Sequence, residues 1–179
     1  MVQRGRGPVS VSASPGSIPL EFMSASAELA IRVAQPDDAP VLGRLLHDFN
    51  TEFDEPTPGA ARLAERVERL LAEGDTLALL GGPGPDGLAV LRFRRAIWSD
   101  GLECYLAELY VVPSRRGRGL GRALMQAAIE HARARGADHM DLGTGEADVV
   151  ARALYESLDF SNREGKPDGP LNYFYEREL

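Results

Sequence analysis

The segment Val112-Pro113-Ser114-Arg115-Arg116-Gly117-Arg118-Gly119-Leu120-Gly121-Arg122-Ala123-Leu124 constrains this chain more than any other stretch of it. It follows an apolar run, Leu102–Val112, that reads as a strand, and it leads into helical spacing from Leu120 to Arg135, closed by Gly136. Three glycines at alternate positions let backbone N–H groups point into one concavity without Cβ obstruction. A helix that begins there adds its own unpaired donors and the positive end of its dipole. Four arginines and no acid lie between Pro113 and Arg122, inside a chain of net charge −7. Such a turn suits a phosphate or pyrophosphate, with roughly 1.5–3 kcal/mol for each charge-assisted hydrogen bond.

Exclusion narrows the ligand. The dinucleotide fingerprint G-x-G-x-x-G is absent, because the last position falls on Arg122 or Leu124. The P-loop needs a lysine that is not there: the single lysine is Lys166. An arginine-glycine RNA-binding tract is disfavoured, since this one is short, lacks interleaved aromatics and sits between a strand and a helix. A glycine-rich turn with surface arginines stays beside the phosphate reading, but a simple turn does not need three glycines.

The rest of the sequence sets the frame. Its 179 residues suit one domain with a tail. With 44% hydrophobic and 26% charged residues the balance is that of an ordinary globular protein. No apolar run approaches the roughly 20 residues of a membrane span. The lone Cys104 cannot form an internal disulfide, and three scattered histidines give no metal-ligand spacing, so no metal is expected. Twenty basic against 27 acidic residues argues against nucleic-acid or anionic-membrane partners. Residues 1–27 are rich in Ser, Gly, Pro and Ala and read as a disordered tail, with Met23 an alternative start that would make residues 1–22 an over-long gene product. Residues 28–179 read as a single domain.

Within that domain, strands are expected at Leu29–Val33, Asp75–Leu80, Leu88–Ile97, Leu102–Val112, His139–Leu142 and Leu171–Glu178. Helices are expected from Pro36 through Phe49, from an N-cap at Thr57 to Gly74, from Leu120 to Arg135 and over Asp148–Leu158. The order β-α-α-β-β-β-α-β-α-β predicts an α/β domain, a mixed central sheet with helices on both faces.

Two motifs carry a resemblance. Arg116-Gly117-Arg118-Gly119-Leu120-Gly121 resembles the R-x-x-G-x-G signature of the GNAT N-acetyltransferase superfamily, and Glu108–Pro113 before it is similar to that family's central strand. Asp148-Val149-Val150-Ala151-Arg152-Ala153-Leu154-Tyr155-Glu156-Ser157-Leu158-Asp159-Phe160 resembles its second motif, N-x-x-A-x-x-L-Y-x-x-x-G-F. The resemblance implies acetyl-coenzyme A as donor and an amine as acceptor. By position, backbone groups of Leu109, Tyr110 and Val111 would hold the pantetheine and acetyl carbonyl. The segment Arg116, Gly117, Arg118, Gly119, Leu120, Gly121 and Arg122 would hold the pyrophosphate. Asp148 stands where the family often has asparagine and cannot donate an amide hydrogen bond. Asp159 replaces a glycine, and aspartate tolerates positive φ better than most residues.

Acetylation of an amine needs a neutral amine, a polarised carbonyl and an acid for the leaving thiolate. The resemblance makes Tyr155 that acid, with a helix tyrosine packed on the sheet as its plainer role. Glu108 is the candidate base, weighed against a carboxylate paired with an arginine; Glu103 is a second candidate. Cys104 reads as a small buried residue rather than a nucleophile. Asp48, Glu52, Asp54 and Glu55 interleave with Phe49 and Phe53, a composition that suits a small cationic amine, or a solvated acidic loop. Phe49, Glu52, Phe53, Asp54 and, on an opposite wall, Trp98 are the candidate acceptor contacts. Within the superfamily the stretch Phe49–Phe53 and Asp148 loosely resemble aminoglycoside 3-N-acetyltransferases, with polyamine and protein N-terminal acetyltransferases left open as other branches. A catalytically silent coenzyme A sensor is the competing function, and Glu108 with Tyr155 favours the enzyme. The expected setting is the bacterial cytoplasm, with a homodimer left open.

Overall fold

The computed structural model describes residues 27–178; the expected tail and Met23 lie outside the described residues, except for Ala27. Five strands form one sheet in the order β1 (Ile31–Val33), β2 (Thr76–Gly81), β3 (Gly87–Arg95), β4 (Leu102–Val111), β5 (Ala137–Leu142). All neighbours are antiparallel except β4 and β5, which run parallel and are joined by a helix. Helices are α1 (Ala39–Glu52), α2 (Ala60–Glu73), α3 (Leu120–Ala134) and α4 (Val149–Glu156).

The sheet is buried on both sides. Ala78, Leu80, Leu88 and Val90 pack with Leu42, Leu45 and Val67 of α1 and α2. Leu79, Ala89, Leu91, Cys104 and Leu106 pack on the opposite side with Leu120, Leu124, Met125 and Ala128 of α3. This two-sided burial explains why β2 and the start of β3 read as continuous apolar runs rather than alternating ones. Gly43 lets α1 and α2 cross closely, since a Cβ there would fall 2.6 Å from the Ala64 backbone nitrogen.

Two expectations are corrected. The second helix does not begin at Thr57: Gly59, at φ +91°, precedes Ala60, and the Thr57 hydroxyl accepts from the Gly59 N–H at 3.3 Å and contacts His47 Nδ1 at 3.1 Å. The last expected strand, Leu171–Glu178, does not form. Its pairing is limited to a bridge from Leu171 to Arg163 and an Asn172 N–H to Asn162 carbonyl bond at 2.8 Å, leaving Tyr173, Phe174 and Tyr175 exposed. A strand also needs a paired neighbour: the outer edge of β5 is open, and no residue of Leu171–Glu178 pairs with it among the described residues.

Candidate active site

A β-bulge organises the centre of β4. Val90 pairs with Glu108 while the next residue, Leu91, pairs with Leu106, so Ala107 is an extra residue. The bulge changes which residues face α3. Cys104 and Leu106 do so before it, and Leu109 and Val111 after it. Glu108 and Tyr110 are thereby turned to the α1–α2 side. β5 stops at Leu142, opposite Leu106. Ala107–Val111 therefore has no strand along its β5-side edge among the described residues, and the sheet opens there.

The opening is bounded by the turn after β4. Gly117 and Gly119 take φ of +71° and +89°, a region that costs side-chain-bearing residues about 1–2 kcal/mol. No N–H of residues 117–122 has a hydrogen-bond partner among the described residues; the first main-chain bond of α3 runs from Ala123 to the Gly119 carbonyl at 3.0 Å. An ordinary helix start leaves four such donors; here six follow one another. A Cβ on Gly117 would meet nothing within 4 Å and one on Gly119 would only touch the Leu29 side chain at 3.9 Å, so the space over the start of the loop is open. Those donors and that space fit a pyrophosphate.

The arginines divide. Arg115 pairs with Asp86 at 3.3 Å and Glu28 at 3.5 Å. Arg122 donates to the Ser157 hydroxyl at 2.7 Å, fastening α3 to the residue after α4. Arg116 is held by Glu52 through two bonds of 2.6 and 2.8 Å and by the Val111 carbonyl at 2.8 Å. Its side chain does not project over the loop as a phosphate ligand. Arg118 has no hydrogen bond or ion pair among the described residues, and Arg122, bonded to a neutral hydroxyl, has no ion pair among them, so these two charges are left for an anion.

α4 supplies Tyr155, whose buried ring packs edge-on to Phe160 at 6.2 Å. Burial, and then the nearby Asp148 charge, push its phenol up to about 12. Asp148 itself caps α4, accepting from the Ala151 N–H at 3.1 Å. That cap role uses a carboxylate as well as an amide, so the departure from asparagine is accommodated locally. Asp159 takes φ +66°, as expected of its position.

Glu108 has no hydrogen-bonded partner among the described residues, and burial raises its carboxyl above the ordinary value. Glu103, by contrast, is bound by Arg94 at 2.6 Å. Cys104 is fully buried with its thiol raised to about 11, which fits an inert core residue.

The acceptor candidates are only partly brought together. Phe49 stacks on Tyr110 at 5.2 Å and Phe53 stands edge-on to Phe49 at 5.4 Å, near the opening. Asp54 follows them at φ +56° and is exposed. Glu52 is corrected, because its carboxylate is taken up by Arg116 and by the Tyr110 hydroxyl at 3.1 Å. Trp98 is corrected too. It is 95% exposed in the β3–β4 turn, at the opposite end of β4 from the opening. The Glu52–Arg116 pair could not be read from sequence, since 64 positions separate its members. The bulge did leave a signal, the slip in apolar phase from Cys104 and Leu106 to Leu109 and Val111.

Comparison with known proteins agrees with this fold. The pattern of the acetyltransferase (GNAT) family matches residues 46–160, and the chain belongs to that family. A solved structure from Arthrobacter sp. FB24, assigned as an acetyltransferase, is 41% identical, covers 93% of this chain and 100% of its own, and superposes with a TM-score of 0.76. A mycothiol acetyltransferase of Gordonia bronchialis is 28% identical over 86% of this chain and 51% of its own length. One from Thermobispora bispora is 46% identical over 35% of this chain and 22% of its own. The chain thus spans about half or less of the length of these mycothiol acetyltransferases.

Proposed function

We propose that the protein transfers the acetyl group of acetyl-coenzyme A to a primary amine, by direct attack within a ternary complex, and that the amine is small and cationic. The observation that carries this reading is the run of six unpartnered N–H groups, Gly117–Arg122, beside the unpaired edge of Ala107–Val111. Those donors would hold a pyrophosphate, with Arg118 adding charge. The free edge, Leu109 to Val111, would take the amide-bearing arm of the donor as an added strand does.

Acetyl-coenzyme A supplies an activated acyl group and a thiolate that departs. The chain's own groups then have two tasks. Glu108, whose burial makes it a stronger proton acceptor than an ordinary carboxylate, removes a proton from the ammonium directly or through water. Tyr155 keeps its proton and hydrogen-bonds to the thiolate as the C–N bond forms and the C–S bond breaks; the second proton shed by the nitrogen ends on the sulfur, directly or through water, to give the free thiol. With its phenol at about 12 against roughly 8.5 for an ordinary thiol, full transfer is uphill, so stabilisation by hydrogen bonding is the larger share.

Carboxylates without ionic partners among the described residues, Glu108, Asp54 and Glu55, support a cationic acceptor. The alkyl body of the amine would pack on Phe53, which is 55% exposed. Thiol release, measured across a panel of mono-amines, diamines, amino sugars and neutral alcohols, tests the reading. Release with cationic amines and none with alcohols supports it; no amine-dependent release from protein that binds the donor would leave a silent coenzyme A binder.

A further inference from the structure

We propose that Glu52 is a positioning residue for the donor loop, an inference that rests on the acetyl-coenzyme A reading above. The carboxylate closes α1 and reaches Arg116, the first residue of the loop that runs to Arg122. The planar guanidinium is held on three sides: Nη1 and Nη2 donate to the two Glu52 oxygens at 2.6 and 2.8 Å, and Nε donates to the Val111 carbonyl at 2.8 Å. The Tyr110 hydroxyl donates to Glu52 Oε2 at 3.1 Å, and its ring lies 5.6 Å from the Arg116 guanidinium carbon. Tyr110 and Val111 end β4, so one cluster ties the end of α1, the end of β4 and the start of the loop.

The tie matters because the loop has little else to define it. Gly117 and Gly119 give it backbone freedom, and no main-chain N–H of residues 117–122 is bonded among the described residues. Its shape is fixed at one end by α3 and at the other by Arg116, which follows the Pro113–Arg115 turn that Arg115 anchors to Asp86 and Glu28. A loop already shaped for its anion binds without the cost of ordering. The Arg116 and Glu52 side chains keep 43% and 26% of their surface in solvent, so water screens the pair, and it is the two-pronged geometry with the Val111 carbonyl that makes it a tie. Glu52 also lies one residue before Phe53, so the same tie fixes the start of the segment proposed to meet the acceptor.

A carboxylate near a phosphate site has an opposite alternative. If Glu52 only sequestered a cation that would otherwise bind phosphate, its removal would tighten donor binding. Calorimetric titration of acetyl-coenzyme A into wild type, Glu52→Gln, Arg116→Gln and the double variant separates the two. Positioning predicts that each single variant weakens binding about tenfold and that the double variant is no weaker than the poorer single, since both remove one tie. In steady state the loss falls on the donor KM rather than on kcat. Unchanged or tighter binding in Glu52→Gln overturns the inference, as does simple addition of the two losses. Equal loss of thermal stability with an unmoved donor Kd assigns the pair to fold stability alone and also overturns it. Wild-type protein that fails to bind acetyl-coenzyme A overturns the functional reading together with the inference; binding that the variants do not alter overturns only the inference.

Discussion

Glu108 pairs across the sheet with Val90, although Leu91, one residue further along β3, already pairs with Leu106. The extra residue, Ala107, turns Glu108 out of the α3-side core and onto the side of the sheet that carries Tyr105 and Tyr110. Without the bulge, strict alternation would put Glu108 on the same face as Cys104 and Leu106, and a buried unpaired carboxylate there would cost several kcal/mol.

The position of Glu108 predicts the acid limb of the rate profile. Its carboxyl is raised by burial, so the deprotonated base is lost as pH falls at a higher pH than for an ordinary glutamate. Glu108→Gln should lower kcat/KM roughly 10²-fold at neutral pH and much less at alkaline pH, where free amine is abundant. A Gln variant that tracks wild type at every pH would assign proton removal to solvent.

Tyr155→Phe keeps the ring against Phe160 and removes one hydroxyl. Turnover should fall roughly 10–10³-fold with donor affinity nearly unchanged, the range for losing a proton donor to the leaving group. Because the phenol sits at about 12, it stays protonated below that value, and the variant should keep the wild-type acid limb. A variant that loses the acid limb would mean that the limb belongs to Tyr155 rather than to Glu108.

Gly119→Asp should abolish acetyl-coenzyme A binding. It forces φ +89° on a branched residue and places a negative charge among the unpartnered N–H groups. Gly136→Asp is the matched control, at φ +85° after α3 and away from the loop. Both should lose a similar amount of stability, about 1–2 kcal/mol of backbone strain, read as a lower melting temperature, while only the Gly119 variant changes calorimetric affinity. Equal affinities in the two variants would exclude the loop as the donor site.

Gly43→Ala should destabilise the protein by about 1–3 kcal/mol, read as a lower denaturant midpoint, because α1 and α2 must separate to admit the methyl group. Since the end of α1 carries Glu52, the donor KM should rise with it. A variant as stable as wild type would mean that the crossing has slack.

Much of this arrangement was legible before any coordinates. The strand-turn-helix at Arg116–Gly121 announced its donors through three glycines, and helices on both faces of a mixed sheet followed from the order of the elements. What stayed hidden depends on distant partners. Glu52 and Arg116 each looked free for a ligand, because sequence shows charge but not what lies 64 residues away. Trp98 looked available to the cleft, because a hairpin's length and direction decide which end of the sheet its turn occupies. Leu171–Glu178 read as a strand, yet among the described residues its pairing stops at Leu171, bridged to Arg163, and Asn172, bonded to Asn162.

The most direct test of the account is an initial-velocity study with acetyl-coenzyme A and a cationic amine both varied, followed by intact-mass analysis of protein incubated with the donor alone. Direct attack in a ternary complex predicts intersecting double-reciprocal lines and no acetylated protein, in keeping with a Cys104 thiol buried and raised to about 11. Parallel lines with an acetyl group on the chain would contradict it.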